Sequence, residues 1–260
     1  MQKEHSHREI SLRDQVAIVT GASSGIGESI AEELVKRGVH VALSARREER
    51  LQAIAQRLVS DGYGETLVVP CDVRQPQDVQ ELVNKTLQQW GRISIVVANA
   101  GVGYRVPIIE GDIERWKVVL DTNVYGLALT LKYAVPSLLE YGGGHVVVMS
   151  SNASRVITAG GGIYCGSKVA ANAIAEALRQ EIASQGVRVT LIEPGIVSTG
   201  FAEVAGYSPQ VVAALEQTQP LQPKDVAQAV LYALEQPAST TVAEILVYPT
   251  RQAGQPPPVR

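Results

Sequence analysis

The chain has 260 residues, 45% hydrophobic and 19% charged, with a net charge of −3. That is enough apolar content for one sizeable α/β core, and a near-neutral balance argues against nucleic acid or an anionic membrane as the main partner. No apolar run reaches the ~20 residues needed to span a bilayer, and two cysteines in unrelated contexts, Cys71 and Cys165, fit a reduced, cytoplasmic protein without a metal site.

The first stretch, Met1 to about Arg13, is polar, lacks a signal-peptide core and reads as a mobile tail. His5 and His7 within it read as solvated rather than metal-bound. Residues 14–250 read as one domain, and 251–260 as a Pro-rich C-terminal tail. Strands are expected at Val16–Thr20, Val39–Ser44, Thr66–Pro70, Ile93–Ala98, His145–Ser150, Val187–Glu193 and Ala243–Val247. Helices are expected at Ile26–Arg37, Arg47–Ser60, Gln77–Trp90, Ile113–Tyr141, Tyr164–Gln185 and Lys224–Gln236. The strands are continuous apolar runs, as in parallel strands covered on both faces. Their alternation with helices gives βαβ units and a doubly wound α/β sheet. The helix around Val118–Leu139 is apolar on more than one side, so it needs a second partner, and a homo-oligomer is expected. His40 and His145 read as ordinary residues at strand boundaries.

Chemistry-bearing segments follow in chain order. The first strand runs into Thr20-Gly21-Ala22-Ser23-Ser24-Gly25-Ile26-Gly27. Glycines admit a pyrophosphate close to the backbone, and the following helix N-terminus offers N–H donors. The position between strand one and helix one makes the loop a dinucleotide site, although its Gly-x-x-x-Gly-x-Gly spacing differs from the commoner fingerprint. The end of strand two, where an NAD enzyme carries a carboxylate for the ribose 2′-hydroxyl, has Ala45 followed by Arg46 and Arg47. A guanidinium pairs with a 2′-phosphate. NADP(H) is therefore the expected cofactor, with Arg46 the first choice for the phosphate and Arg47, the more surface-like residue, the second. Further on, Tyr164 and Lys168 lie four apart, on one helical face. An ammonium near a phenol favours phenolate and lowers its pKa, so the pair suits general acid–base work on a carbonyl or alcohol.

Taken together these motifs resemble the short-chain dehydrogenase/reductase family over roughly residues 14–248. The resemblance implies a Rossmann-type fold with a seven-stranded parallel sheet in the order 3-2-1-4-5-6-7. It also implies a homodimer or homotetramer joined through the helices near 113–141 and 164–185. Gly21, Ser23, Ser24, Gly25, Ile26 and Gly27 then match the cofactor loop, and Asp72 and Val73 match the adenine-contacting segment. Asn99-Ala100-Gly101 matches a motif usually written Asn-Asn-Ala-Gly, with Ala98 replacing the first Asn. Asn123 matches the asparagine that fixes a water for a proton relay, and Ser151, thirteen positions before Tyr164, matches the substrate-orienting serine; Ser150 is the adjacent candidate. Lys168, besides acting on Tyr164, would hold the nicotinamide ribose. Pro194, Gly195, Val197 and Thr199 match the stretch that wraps the nicotinamide, and residues 200–220 would form a lid.

The expected activity is hydride transfer between NADP(H) and a small carbonyl or secondary alcohol, with Tyr164 exchanging the proton. A regulatory NADP(H)-binding protein on the same fold is the main alternative, since fold does not fix function. An epimerase or dehydratase is a further one, disfavoured because the chain lacks the extra C-terminal substrate domain of longer relatives. The segments 102–106, 152–163 and 196–207 would line the pocket and are largely uncharged. Arg105 and Arg155 lie there, either as plain surface arginines or as contacts to an anionic substrate.

Overall fold

The computed structural model describes residues 11–61 and 64–252; the expected features of His5 and His7 and of the last residues lie outside them. Seven strands form one parallel sheet in the order β3-β2-β1-β4-β5-β6-β7, as expected. They are β1 (Val16–Thr20), β2 (His40–Ala45), β3 (Thr66–Pro70), β4 (Ile95–Ala98), β5 (Gly144–Met149), β6 (Val187–Pro194) and β7 (Glu244–Val247). Helices α1 (Gly25–Lys36), α2 (Glu48–Asp61) and α3 (Pro76–Trp90) connect the first four strands.

Side chains alternate across a strand, so each central strand feeds two cores. Ile18, Val96 and Val148 face one core, shared with α3 and two long helices, α5 (Gly126–Glu140) and α6 (Gly162–Ile182). Val19, Val97 and Val147 face the other, shared with α1, α2 and a later helix, α9 (Pro223–Glu235). Leu12 and Gln252 extend the packed unit slightly past the expected 14–250 limits. Leu12 is buried in the α1 core, and the Gln252 side chain accepts from the Ile196 N–H at 2.9 Å. The strand order reverses between β1 and β4, and ligands of open α/β sheets bind beyond the carboxyl ends of strands at such a point.

Two expectations are corrected. The helix expected over 113–141 is broken into α4 (Ile113–Leu120), a π turn (Asp121–Tyr125) and α5. The wider turn forms where Asn123 turns its side chain into tertiary hydrogen bonds. The last strand is not covered on both faces: Glu244 and Leu246 of the edge strand β7 are exposed. The expected lid holds two short helices, α7 (Phe201–Val204) and α8 (Pro209–Glu216). Among the described residues, no helix is long and apolar enough to cross a membrane, and no cluster of metal-ligating side chains occurs.

Candidate active site

The glycine loop closes tightly on its surroundings. Gly21 and Gly25 have φ of 69° and 59°, a region that glycine enters without steric cost. A Cβ on Gly27 would lie 2.4 Å from the Gly21 carbonyl oxygen and 2.5 Å from Asn99 Nδ2, so the loop tolerates no side chain there. Ile26 packs against the α1-side core. Thr20 and Asn99 tie the ends of β1 and β4 together. The Thr20 hydroxyl accepts from the Asn99 and Ala100 N–H groups at 3.0 and 3.1 Å, and Asn99 Nδ2 donates to the Thr20 carbonyl at 2.9 Å. A strand-bridging bond that Ala98 cannot make is thus present, made by Asn99.

The two arginines, Arg46 and Arg47, are placed differently relative to the glycine loop. Both follow β2, but it is Arg47 that turns back onto the glycine loop. It donates to Ser23 Oγ at 2.8 and 3.2 Å and to Ser24 Oγ at 2.8 Å. Burial, and then Arg50 and Arg46, pull its pKa down, as expected for a cation held among cations without a carboxylate partner. Arg46 beside it is exposed, as Arg47 is, and makes no bond to the loop serines. Asp72 also differs from a free adenine contact: its carboxylate receives Arg74 Nε at 2.9 and 3.0 Å, which holds it below the usual carboxylate range. Val73 is buried against Gly126. Both cysteines are buried and unpaired, and burial pushes the Cys71 thiol up to about 11.

The acid–base residues gather at the carboxyl ends of β4 and β5. Ser151 caps a short turn at 152–154 by accepting from the Ala153 N–H at 3.1 Å, its hydroxyl donates to Asn152 Oδ1 at 3.3 Å, and it lies near enough to the Tyr164 phenol to act on its ionisation. Ser150 points the other way, donating to Asn172 Oδ1 at 2.5 Å. Lys168 Nζ donates to the Met149 carbonyl at 2.9 Å and lies 5.9 Å from the centre of the Tyr164 ring. Burial brings the Lys168 pKa down to about 8. Burial also pushes Tyr164 above its ordinary value, outweighing the lowering by Ser151. In the free protein desolvation thus dominates the phenol, and the Lys168 ammonium is bonded to the Met149 carbonyl.

Asn123 is fully engaged. Its Oδ1 accepts from the Val102 N–H at 2.8 Å, while Nδ2 donates to the Val102 carbonyl at 2.8 Å and to Ser167 Oγ at 3.0 Å. It thereby clamps the loop after Gly101 against α6. A Cβ on Gly101 would lie 3.4 Å from Asn123 Oδ1 and 3.5 Å from Lys168 Nζ. The segment after β6 crosses to the glycine loop. Gly195 is pressed against Tyr248 and Gln252, Val197 pairs with Leu221, and a Cβ on Gly25 would lie 3.1 Å from Thr199 Cγ2. Pro194 ends β6.

Three features went unmarked in the sequence. Phe201, the chain's single phenylalanine, holds its ring 5.5 Å from that of Tyr164. Tyr207 lies over Arg105, its ring centre 5.0 Å from Cζ. Glu193, fully buried, receives Arg155 Nε, Ser154 Oγ and Asn172 Nδ2 at 2.6 to 2.7 Å. A lone acid at the end of an otherwise apolar strand was the available signal for it.

Comparisons with known proteins agree with this arrangement. Residues 15–207 match the family described as short chain dehydrogenase. An uncharacterized oxidoreductase of Staphylococcus saprophyticus is 39% identical over 242 residues, spanning 92% of this chain and 99% of that protein. A glycine betaine reductase of Emericella nidulans is 39% identical over 245 residues, 92% of this chain but only 19% of that longer protein. Among solved structures, an alcohol dehydrogenase of Thermococcus sibiricus complexed with 5-hydroxy-NADP superposes with a TM-score of 0.85 and 32% identity, over 94% of this chain and all of that one. A metagenomic short-chain oxidoreductase in complex with NADP gives 0.79 and 30%, over 93% and 99% of the two chains. With its glycine loop, its Tyr164–Lys168 helix and its seven-stranded sheet in one frame, the chain belongs to the short-chain dehydrogenase/reductase family of nucleotide-binding oxidoreductases.

Proposed function

We propose that the protein is an NADP(H)-dependent carbonyl reductase, working reversibly as an alcohol dehydrogenase, with Tyr164 as the proton-exchanging group. The observation that carries this reading is the convergence of Ser151, Tyr164 and Lys168 beside the glycine loop. The side-chain-free cradle at Gly21, Gly25 and Gly27 fits a dinucleotide pyrophosphate, and Arg47 at Ser23 and Ser24 fits a 2′-phosphate. NADP-bound neighbours support the same choice.

NADPH, when bound, supplies the hydride. Asn99, Ala100 and Gly101, with Pro194, Gly195, Val197 and Thr199, would flank it; Asp72, Val73 and Ile26 would border its adenosine side. The Ser151 hydroxyl donates a hydrogen bond to the substrate oxygen as charge develops there. The Tyr164 hydroxyl gives that oxygen its proton. At neutral pH Tyr164 is a phenol, the form that donates in reduction. Lys168 has three N–H donors and spends one on Met149, leaving two for cofactor hydroxyls and the proton path. Asn123, its amide committed to Val102 and Ser167, contributes by holding the main chain beside Lys168.

Tyr164→Phe should cut NADPH-dependent turnover over a carbonyl panel by about a thousandfold, with NADPH affinity by fluorescence changed less than about threefold. Full activity in that variant would overturn the assignment. Arg47→Ala should lower the NADPH-over-NADH ratio of kcat/KM by about tenfold or more, and Arg46→Ala by less. A larger effect at Arg46 would restore the order assigned from sequence.

A further inference from the structure

Arg105 lies on the loop after Gly101, four residues from the glycine that borders Lys168. The backbone around it is stitched to both walls of the catalytic chamber. Its N–H donates to the Ala205 carbonyl at 2.9 Å, and the Val106 N–H donates to the Gly160 carbonyl at 2.8 Å. The guanidinium is carried inward and the residue is only 8% exposed. It donates to the Ala159 carbonyl at 2.8 Å and, at a long 3.4 Å, to the Tyr207 hydroxyl, whose ring centre is 5.0 Å from Cζ. The Nε–H is buried and has no protein acceptor within reach.

Among the described residues, no carboxylate forms an ion pair with Arg105, whereas Arg155, the other arginine of the pocket segments, is held by Glu193 and Glu244. A guanidinium keeps its charge and has five N–H donors. Burying that charge against one carbonyl and one phenol leaves it short of compensation. The segments around it also border Tyr164: Tyr207 covers Arg105, Phe201 of the same segment packs on the Tyr164 ring, and Ala159 lies five residues before Tyr164. A carboxylate entering with the substrate would meet the free Nε–H in a charge-assisted hydrogen bond and neutralise the buried cation.

We infer that Arg105 receives a carboxylate carried by the substrate, so that the preferred carbonyl compounds are oxo acids and the corresponding products hydroxy acids. This rests on the reading of the protein as a carbonyl reductase. The hydride and proton go to the carbonyl as in that reading; the carboxylate is bound without bonds being made or broken. Sites built to hydrogen-bond a group discriminate strongly against analogues lacking it.

The test is NADPH oxidation by the intact protein with pyruvate, acetoacetate, 4-oxopentanoate and 5-oxohexanoate, each beside its methyl ester. At least one acid should exceed its ester in kcat/KM by about tenfold or more. Arg105→Met should bring that ratio close to one, chiefly through KM, and Arg105→Lys should recover part of it. The ratio is internal to each variant, so partial loss of folded protein cancels. Should Arg105→Met yield no folded protein, as judged by NADPH fluorescence, the same ratio is read in Arg105→Gln. Esters turned over as well as every acid in the wild type, or an acid preference that survives in Arg105→Met or Arg105→Gln, would overturn the inference and leave the reductase reading intact. No NADPH oxidation with any acid or ester, in protein that binds NADPH, would count against both.

Discussion

Tyr164 and Lys168 show how a pairing legible in sequence acquires its properties from burial. Spacing places them on one face of α6. It does not say which effect on the phenol wins, and here desolvation does, raising Tyr164 and bringing Lys168 down to about 8. The charged form of Lys168 therefore persists in the free protein below about pH 8 and is lost above it. If the ammonium is required, kcat/KM for carbonyl reduction should fall above about pH 8, since that parameter reports ionisations of the free enzyme. A profile flat from about pH 7 to 9.5 would remove the requirement. The two arginines after β2 were equally legible as a basic pair. Which of them reaches the loop depends on the turn between Ala45 and Glu48, and a one-residue rotation there is beyond any pattern of residue types. Arg105 was visible too, but only its placement between Ala159 and Tyr207 separates it from a surface arginine.

At the scale of elements, periodicity found the strands because each is a run of apolar residues between glycine-rich or polar turns, and both cores use their alternation. It failed inside 113–141, where apolar positions continue without a break and nothing announces a π turn except Asn123 itself. The carboxyl ends of β5 and β6 are joined by a second device invisible to periodicity. Ser150 bonds Asn172, Asn172 donates to Glu193, and Glu193 takes Arg155 and Ser154. Burial works to raise the Glu193 pKa, but Arg155, Ser154 and Asn172 outweigh it, so the carboxylate is held charged. Removing it leaves Asn172 Nδ2 and Arg155 Nε without this acceptor, while Ser154 Oγ keeps the Ser151 carbonyl at 2.7 Å. Glu193→Ala should therefore lower unfolding free energy by about 1–3 kcal/mol, measurable as a drop in denaturant midpoint. An unchanged midpoint would mean that the network contributes no net stability.

The whole molecule carries its functional groups at one end of the sheet and a different chemistry at the other. There, Arg188 of β6 donates to the carbonyls of Ala233, Leu234, Gln236 and Thr240 at 3.0 to 3.4 Å, capping the C-terminus of α9. Beside it His145 is buried, bonded to Thr190 Oγ1 at 2.7 Å, and burial followed by the Arg188 charge brings its pKa down to about 3. The unfolded chain binds a proton at His145 near pH 6.5 that the folded one refuses. Its contribution is thus complete above about pH 6.5 and is lost as the pH falls toward 3, amounting to a few kcal/mol at most. The fall in stability between pH 6.5 and 4.5 should be shallower in His145→Gln; an identical slope would assign it to other groups. Val118, Leu120, Tyr125 and Val169 on the α4–α6 side, and Tyr232, Leu246 and Tyr248 near β7, leave apolar surface exposed. The homo-oligomer expected from the sequence would cover the α4–α6 side, and light scattering should then return a multiple of 27.8 kDa; a monomeric mass would exclude it.

The close approach of Thr199 to Gly25 bears on the order of events in turnover. The stretch that leads into α7 and α8 is anchored over the loop proposed to hold the cofactor phosphates. A cofactor held in that loop would then lie against this stretch and be enclosed by it once the segment carrying Phe201 and Tyr207 is in place. Turnover should then follow a compulsory sequence with the dinucleotide first on and last off. Product inhibition by NADP+ would be competitive against NADPH, and the alcohol product would not compete with NADPH.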